Sequence, residues 1–475
     1  MRFHNTLTGR VEEFVPLVPG KAGVYICGVT VYDRSHIGHA RALVTFDILY
    51  RYLRFSGYDV TLVRNFTDVD DKIIARAQQA GISTNDLVAA NIRAFAEDVQ
   101  ALGCYPPTIE PRATEHIPEM IVLIEELIAK GLAYPAHGDV YFAVDKYPGY
   151  GKLSKRKLDD MQAGARIDVD ERKHHPMDFA LWKASKPGEP EWQSPWGLGR
   201  PGWHIECSAM ASRYLGQPFD IHGGGTDLIF PHHENEIAQS EGSKGCAFAR
   251  YWLHNGMVTI DKEKMSKSLG NFTTVAEAVK QVGGEAVRHF VIGTHYRSPL
   301  DYSTDRLDES AKALERIYET LARVDEQGPS DKAPTASDKQ AGEAVIAEFR
   351  EAMDDDLNTA RALGVVFETV RAINRHLDAG KVGLARSLRS ALGEIGAVLG
   401  IAHQDPRQSL ERAKAQHLVQ SNVDPAEIER LIEERKAARK AKDFQRADAI
   451  RAELIERGIV LEDTATGTIW KVARS

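Results

Sequence analysis

His36-Ile37-Gly38-His39 stands where a short apolar strand runs into a helix, and Lys264-Met265-Ser266-Lys267-Ser268 follows far downstream. This ordered pair limits the fold more than any bulk property does. The first string sets two imidazoles and a glycine at a helix start, where free backbone N–H groups and the helix dipole favour anionic phosphate. The second sets two ammonium groups on a short loop containing Ser and Gly. Together they suit a nucleoside triphosphate whose α-phosphorus is attacked while pyrophosphate departs, a reaction governed by positioning and charge stabilisation. On this reading His36 and His39 donate hydrogen bonds to phosphate, Gly38 lets the nucleotide approach the backbone, and Lys264 and Lys267 neutralise the outer phosphates. The bland alternative is a histidine pair satisfied at a helix start and a solvated lysine loop.

The two strings resemble the signature sequences of the class I aminoacyl-tRNA synthetases. That resemblance implies a Rossmann-type fold that activates an amino acid with ATP and Mg²⁺. The remaining sequence has to identify the amino acid.

The chain has 475 residues and 43% hydrophobic residues, enough for on the order of three or four domains with real cores. It contains no apolar run of about eighteen residues, and its start (Met1-Arg2-Phe3-His4-Asn5) lacks the apolar region of a signal peptide, so a soluble protein off the membrane is expected. Cys27, Cys104, Cys207 and Cys246 are too few and too scattered for a disulfide framework, which fits a reducing cytoplasm. Cys104 and Cys246 read as small buried hydrophobes. The net charge of −8 argues against non-specific polyanion binding. It leaves room for tRNA, because a local basic stripe can hold phosphates on an acidic protein.

Along the chain, Ala22 to Gly28 reads as a buried strand, Ile37 to Ser56 as a helix and Tyr58 to Asn65 as a second strand, with helical periodicity through Leu87–Leu102 and Ile117–Lys130. This opening predicts a parallel sheet with its site at the C-terminal strand ends. The expected fold is α/β: a Rossmann-type parallel-sheet catalytic domain with an inserted subdomain, then a helical bundle and a small C-terminal α/β domain. The boundaries are 1–130 and 201–274 for the two catalytic halves, 131–200 for the insertion and 275–327 for a stem-contact-like helical region. A polar linker over 328–341 and a bundle over 342–402 follow, and the C-terminal domain takes 403–475. Within that domain His403 to Pro425 reads as a connection, Ala426 to Arg457 as one long amphipathic helix and Ile459 to Val472 as a hairpin.

Cys27 closes the first strand, Cys207 ends Gly202-Trp203-His204-Ile205-Glu206-Cys207, and Pro231-His232-His233-Glu234-Asn235-Glu236 is dense in ligand types. On a helix His232 and Glu236 share a face. Two thiolates, an imidazole and a carboxylate make a soft-to-borderline set suited to zinc. His233 with Glu236 is a competing spacing that stays open.

Val24 to Asp33, Gly202 to Met210, His222 to Glu236 and Lys264 to Asn271 resemble the cysteinyl-tRNA synthetases, and the resemblance covers essentially the whole chain. It implies one Zn²⁺ held by Cys27, Cys207, His232 and Glu236, with an open position for the substrate thiolate. It implies that ATP and L-cysteine form cysteinyl-adenylate and pyrophosphate, and that cysteine passes to the 3′ end of tRNA(Cys) with release of AMP. It further implies that Gly28, Thr30, Asn65, Thr67, Trp203, Gly225, Thr226 and Asp227 contact cysteine or adenosine, with His204, His222 and His254 nearby, in a cytoplasmic monomer. Asp68, Asp70 and Asp71 suggest either Mg²⁺ or helix capping.

Arg435, Lys436, Arg439, Lys440, Lys442 and Arg446 crowd one helical stretch interrupted by Asp443, a strip for tRNA phosphates unless Glu433 and Glu434 pair with it. Trp470 suits base stacking or hairpin packing. A rival with the same activation chemistry is a cysteine ligase that uses an amino-sugar acceptor, as in mycothiol biosynthesis, but it matches only the first two-thirds of the chain. A non-catalytic tRNA-binding relative would be expected to have lost the lysine loop or the ligands, and both are present.

Overall fold

The computed structural model describes residues 1–158, 171–260, 263–264, 272–328, 334–421, 425–457, 459–464 and 467–472. A short hairpin, β1 (Arg2–Asn5) and β2 (Arg10–Glu13), precedes the nucleotide-fold strand β3 (Lys21–Thr30). Helix α1 (Ile37–Phe55) and strand β4 (Asp59–Thr67) follow. Val24, Tyr25 and Ile26 of β3 are buried in succession, as a parallel strand covered on both faces requires. Next come α2 (Asp71–Ala80), α3 (Thr84–Ala101) and α4 (Ile117–Ala129). Of these, α2 escaped the sequence reading; its start is marked by Asp70, whose side chain accepts from the Lys72 N–H.

The expected insertion is an antiparallel sheet in the order β5-β6-β7-β9-β8, made of β5 (Ala133–Ala136), β6 (Asp139–Phe142), β7 (Phe179–Ala184), β8 (Trp192–Ser194) and β9 (Gly197–Pro201). The nucleotide fold then resumes with α5 (Trp203–Leu215), β10 (Phe219–Gly225), α6 (Glu234–Lys244) and β11 (Ala249–Asn255). Strands β11, β10, β3 and β4 lie in that order and all run parallel. The sheet therefore joins sequence from both sides of the insertion and gathers Cys27, Asn65, Gly225 and His254 at its C-terminal edge.

Strands β12 (Val258–Ile260) and β13 (Glu263–Lys264) come next, followed by α7 (Val275–Val282), α8 (Gly284–Ile292), β14 (Leu300–Asp301) and α9 (Thr304–Asp325). The stretch read as continuously helical thus contains a short strand, β14, paired with β12. The bundle is α10 (Ala336–Asp354), α11 (Thr359–Asp378) and α12 (Val382–Leu399). Helix α10 begins inside the expected linker, because Thr335 and Asp338 form a reciprocal capping box in a segment whose polar residues read as loop.

The C-terminal region departs most from the sequence reading. The expected connection contains a helix, α13 (Pro406–Ser421); Asp405 accepts from the Gln408 N–H, and Pro406 occupies the first helical position, where it favours a helix. The expected long helix is two, α14 (Pro425–Lys440) and α15 (Phe444–Glu456). Lys442 takes φ +64°, and Asp443 accepts from the Arg446 N–H to start α15. The hairpin β15 (Ile459–Thr464) and β16 (Gly467–Val472) closes a separate small core around Leu431, Ile450, Leu461 and Trp470. Among the described residues no helix is long and apolar enough to cross a membrane.

Candidate active site and metal centre

A cleft of about 340 Å³ opens at the C-terminal edge of the parallel sheet, lined by Cys27, Gly28, Thr30, His36, Gly38, His39, Trp203, Gly225 and Asp227 among others. At its floor β3 carries a register irregularity between Ile26 and Val29. Gly28 is required there: a Cβ at this position would sit 1.5 Å from the Asn65 carbonyl oxygen. The Gly28 N–H donates to Asn65 Oδ1 at 2.8 Å.

His36 and His39 start α1 and serve it as caps. The Gly38 N–H donates to His36 Nδ1 at 3.0 Å, and the His36 N–H donates to His39 Nδ1 at 3.1 Å. An Nδ1 that accepts leaves the proton of each neutral ring on Nε2, so both imidazoles are Nε2–H donors by this assignment. Capping and phosphate recognition are thus compatible in one pair of side chains. The stretch following the lysine loop meets this helix start: the Ile37 N–H donates to Thr273 O at 3.1 Å, and the Val275 N–H donates to Ser35 O at 3.0 Å. Lys264 pairs through its backbone with Thr259. Lys267 lies outside the described residues.

Beside the cleft, donor atoms of Cys27, Cys207, His232 and Glu236 lie within 4.8 Å of one another. Cys27 Sγ is 3.7 Å from Cys207 Sγ and 3.3 Å from Glu236 Oε1, and His232 Nε2 is 3.1 Å from that same oxygen. The far side of His232 is held too: its Nδ1 is 2.9 Å from His204 Nδ1, and its ring stacks on Trp203 with centroids 4.2 Å apart. A second group, Cys27, His222, His233 and Glu236, satisfies the same proximity, so the ambiguity over His233 persists in the geometry. In that group His222 Nε2 is already 2.8 Å from Glu236 Oε2, and His233 Nδ1 is 2.8 Å from His254 Nε2.

The electrostatics favour a cation at this cluster. Burial raises the Cys27 thiol well above its ordinary pKa, and the negative charge of Cys207 and Glu236 adds to the effect. A hydrogen bond from Cys27 helps the Cys207 thiolate, yet burial and the Glu236 and Glu206 charges leave that thiol raised as well. Burial would also raise the Glu236 carboxyl, but His222 and His232 hold it below its usual range. His232, pushed down to about 3 chiefly by burial, is a neutral imidazole. A buried site with two thiols, an ionised carboxylate and a neutral ring fits a soft-to-borderline divalent ion, whose charge would offset the cost of ionising the sulfurs.

Other expected contacts stand at different depths. Asn65 and Thr67 are buried behind the cleft wall rather than on it. Thr67 Oγ1 donates to Glu206 Oε2 at 2.8 Å, so these side chains brace Gly28 and α5 from behind. Of the three aspartates, Asp70 caps α2, Asp68 accepts from the Thr114 N–H and hydroxyl, and Asp71 pairs with Lys183 and Arg200 of the insertion. Each is engaged in fixing the fold. Cys104 is buried as expected, but Cys246 is exposed, following the left-handed Gly245 that ends α6.

The basic strip is broken. Arg435 is buried, Lys436 pairs with Glu433 at 3.3 Å, and Arg446 sits on α15 and reaches back to Glu434 at 2.6 Å. Four of the six residues lie on α14, Lys442 lies in the turn and Arg446 lies on α15, so the six do not form one helical face. Trp470 is buried, with its Nε1–H on Glu429 and Lys414 over its ring, which fits hairpin packing. On these two helices Phe444 is an aromatic at the surface, 62% exposed and shortly after Lys440 and Lys442 in the chain. Sequence reasoning missed it because a continuous helix gave that position no special geometry; the Lys-Asp pair before it was the signal for a turn and a cap.

A family model described as tRNA synthetases class I (C) catalytic domain matches residues 13–312, a DALR domain matches 348–404, and a Cysteinyl-tRNA ligase anticodon binding domain matches 424–470. Proteins named Cysteine–tRNA ligase from Geobacter sulfurreducens and Syntrophobacter fumaroxidans are 58% and 52% identical to the chain, over 99% of it and 99% of each relative. The chain belongs to the cysteine–tRNA ligase family. Its fold is shared more widely: a Mycobacterium tuberculosis methionyl-tRNA synthetase bound by methionyl-adenylate is similar with a TM-score of 0.61 at 17% identity, covering 82% of this chain and 94% of that one. An Agrobacterium radiobacter LeuRS in a complex with tRNA is similar with a TM-score of 0.59 at 13% identity, covering 85% and 86%. In this cysteine–tRNA ligase family chain the thiol pair sits where β3 and α5 converge beside the cleft.

Proposed function

We propose that the chain activates L-cysteine with ATP and transfers it to tRNA(Cys), and that Cys27, Cys207, His232 and Glu236 hold one zinc ion that selects cysteine. The observation that carries the reading is the thiol pair at 3.7 Å with His232 and Glu236, at the wall of a cleft that also holds the histidine helix cap. The first quartet is preferred over the second because it holds both thiols, whereas in the second His222 Nε2 is committed to the other Glu236 oxygen.

In the first step a carboxylate oxygen of cysteine attacks the α-phosphorus of ATP, the bond to the β-phosphate oxygen breaks, and pyrophosphate leaves. No general base is needed, because the nucleophile is already ionised. The Nε2–H groups of His36 and His39 donate to phosphate oxygens at the N-terminus of α1, and Lys264 and Lys267, with Mg²⁺ as the nucleotide's counter-ion, balance charge on pyrophosphate. Gly28, Thr30, Gly225 and Asp227 shape the cleft wall around the adenylate, and the partly exposed Trp203 lines it as well. Zinc in the quartet would supply a Lewis-acidic position that accepts sulfur far better than a hydroxyl, a discrimination that size alone cannot give between cysteine and serine. His204 orients the His232 ring, so that Nε2 faces the site.

In the second step a ribose hydroxyl at the tRNA 3′ end attacks the activated carbonyl carbon and AMP leaves. The match over 424–470 supports tRNA over an amino sugar as acceptor. On the C-terminal domain, Phe444 gives an exposed ring close in sequence to the exposed Lys440 and Lys442, suited to an unpaired base. The test is ATP–pyrophosphate exchange with cysteine and with serine, beside metal content, in the purified chain. Exchange that keeps its cysteine preference after complete removal of the metal contradicts the reading.

A further inference from the structure

Two walls of the cleft hang on one short turn, His295 to Ser298, that touches no part of the metal quartet. From one side comes Arg41, two residues past His39 on α1 and fully buried. Its guanidinium donates to the carbonyl oxygens of Val291, of Thr294 at 3.2 Å, of His295 at 2.7 Å and of Ser298 at 3.2 Å. On the other side the Gly256 N–H donates to Tyr296 O at 2.8 Å, and a Cβ on Gly256 would sit 2.4 Å from Ser298 O. The Leu300 N–H donates to Met257 O at 2.9 Å, and β14 carries this pairing onto β12, whose antiparallel partner β13 ends at Lys264. Gly256, Met257 and Val258 line the cleft. The histidine helix start and the strand that leads into the lysine loop therefore take their relative position from the same turn.

The side chain that holds this turn comes from the bundle. Asp356 is buried in the connection between α10 and α11. Its carboxylate accepts from the Tyr296 hydroxyl at 2.8 Å, from Arg297 Nε at 2.6 Å and from the His4 N–H of β1 at 2.8 Å. Asp356 and Leu357 take φ +60° and +51° in succession. A left-handed conformation is unusual for a side chain such as leucine, and it persists only where the surroundings impose it. The strained connection presents the carboxylate to the turn.

We propose that Asp356 is a positioning residue for the ATP half of the reaction, acting through Tyr296 and Arg297 on the wall formed by Gly256 and Met257 and on the strand that enters the lysine loop. The proposal rests on the reading above that this cleft activates cysteine with ATP. Because that chemistry depends on placement of the triphosphate, a small displacement of one wall acts on ATP and leaves the cysteine side, held by β3, α5 and α6, in place.

The test is ATP–pyrophosphate exchange in the full-length, metal-loaded chain, with ATP and cysteine varied separately and bound zinc measured alongside. No tRNA is present, so an effect of this bundle residue cannot arise through tRNA. Asp356→Gly keeps the left-handed backbone without strain and removes the carboxylate; it is expected to raise the KM for ATP about tenfold while zinc and the KM for cysteine stay within about twofold. Asp356→Asn, which tolerates the same backbone and retains an acceptor oxygen, is expected to recover part of that rise. Tyr296→Phe removes one hydroxyl from an otherwise intact ring and is expected to raise the KM for ATP about threefold, the worth of one hydrogen bond; it carries the comparison if Asp356→Gly does not fold. An unchanged KM for ATP in Asp356→Gly and Tyr296→Phe overturns the proposal. So does an equal rise in the KM for ATP and for cysteine, or loss of zinc, since a general loosening of the fold has that signature. A wild-type chain without cysteine-dependent exchange overturns the reading of the activation step, and the proposal with it.

Discussion

Cys27 Sγ and Cys207 Sγ lie 3.7 Å apart although 180 residues separate them in the chain. One thiol comes from the end of a sheet strand, and the other from the first turns of the helix that follows the insertion. Bringing them together therefore depends on the two halves of the nucleotide fold closing around that insertion. With the carboxylate of Glu236 at 3.3 Å, the pair is poorly suited to carry charge alone in a buried place.

Replacing one sulfur by oxygen removes the softest part of this donor set while leaving the shape nearly intact. Cys207→Ser is expected to lower bound zinc from one equivalent to a small fraction and cysteine-dependent exchange by on the order of a hundredfold or more. Elemental analysis by mass spectrometry and the exchange rate check this together, and an unaltered far-UV spectrum establishes that the fold survives. Full zinc retention in the variant contradicts the ligand assignment.

Helix α1 is tied to the bundle through a buried ion pair. Asp47 Oδ2 accepts from Arg288 and from Arg51 Nε at 2.7 Å, while Arg288 Nε donates to Leu399 O at 2.6 Å at the end of α12. The Asp47 and Arg288 side chains are 3% and 0% exposed. Asp47→Leu strands two guanidinium groups in the interior and is expected to cost about 3–5 kcal/mol, a fall of roughly 3–5 °C in the thermal midpoint for a chain of this length. Adding Arg288→Met is expected to restore part of that loss, because a matched apolar pair avoids the desolvation cost. Calorimetry on the two variants reads both effects.

The catalytic half was legible in the sequence because its signals are local and redundant. Apolar runs marked β3 and β4, glycine and histidine marked the start of α1, and the change of pattern near Ala133 marked the insertion. Cys27 and Cys207 were singled out for chemistry rather than by any contact visible in sequence, and the packing of α5 against β3 is what unites them. The bracing of Gly28 by Asn65 was invisible, since it depends on an irregularity in the strand pairing. The C-terminal region was misread where caps resembled breakers: Asp405-Pro406 and Asp443 both begin helices, and one positive φ at Lys442 redirects the cations. Composition reports charge, but the turn decides which way it faces.

His289 on α8 is buried against Phe367, and neither ring nitrogen has a hydrogen-bond partner among the described residues. Burial, aided by Arg316, pushes its pKa down to about 4. The folded value lies below the unfolded one near 6.5, so the unfolded chain binds more protons between the two. The stability contribution is complete above about pH 6.5 and is lost as the pH falls toward 4, amounting to roughly 3 kcal/mol. His289→Leu is expected to shrink the loss in unfolding free energy between pH 7 and pH 4 by about that amount. Urea unfolding at the two values measures it, and an unchanged difference rejects the role of His289.

Phe444 exposes 62% of its surface on the first turn of α15, where Asp443 caps the helix and the exposed Lys440 and Lys442 shortly precede it in the chain. Packing does not hold it there, so truncation leaves the small core around Trp470 and Ile450 untouched. A stacked base is worth about 1–3 kcal/mol, and Phe444→Ala is expected to raise the KM for tRNA by roughly tenfold or more while exchange stays level. Phe444→Trp keeps a stacking face and is expected to charge tRNA nearly as well as wild type, whereas Phe444→Leu, apolar but without a π-face, behaves like alanine. Steady-state charging over a range of tRNA concentrations separates the three, and a leucine variant equal to wild type shows that the ring meets no base.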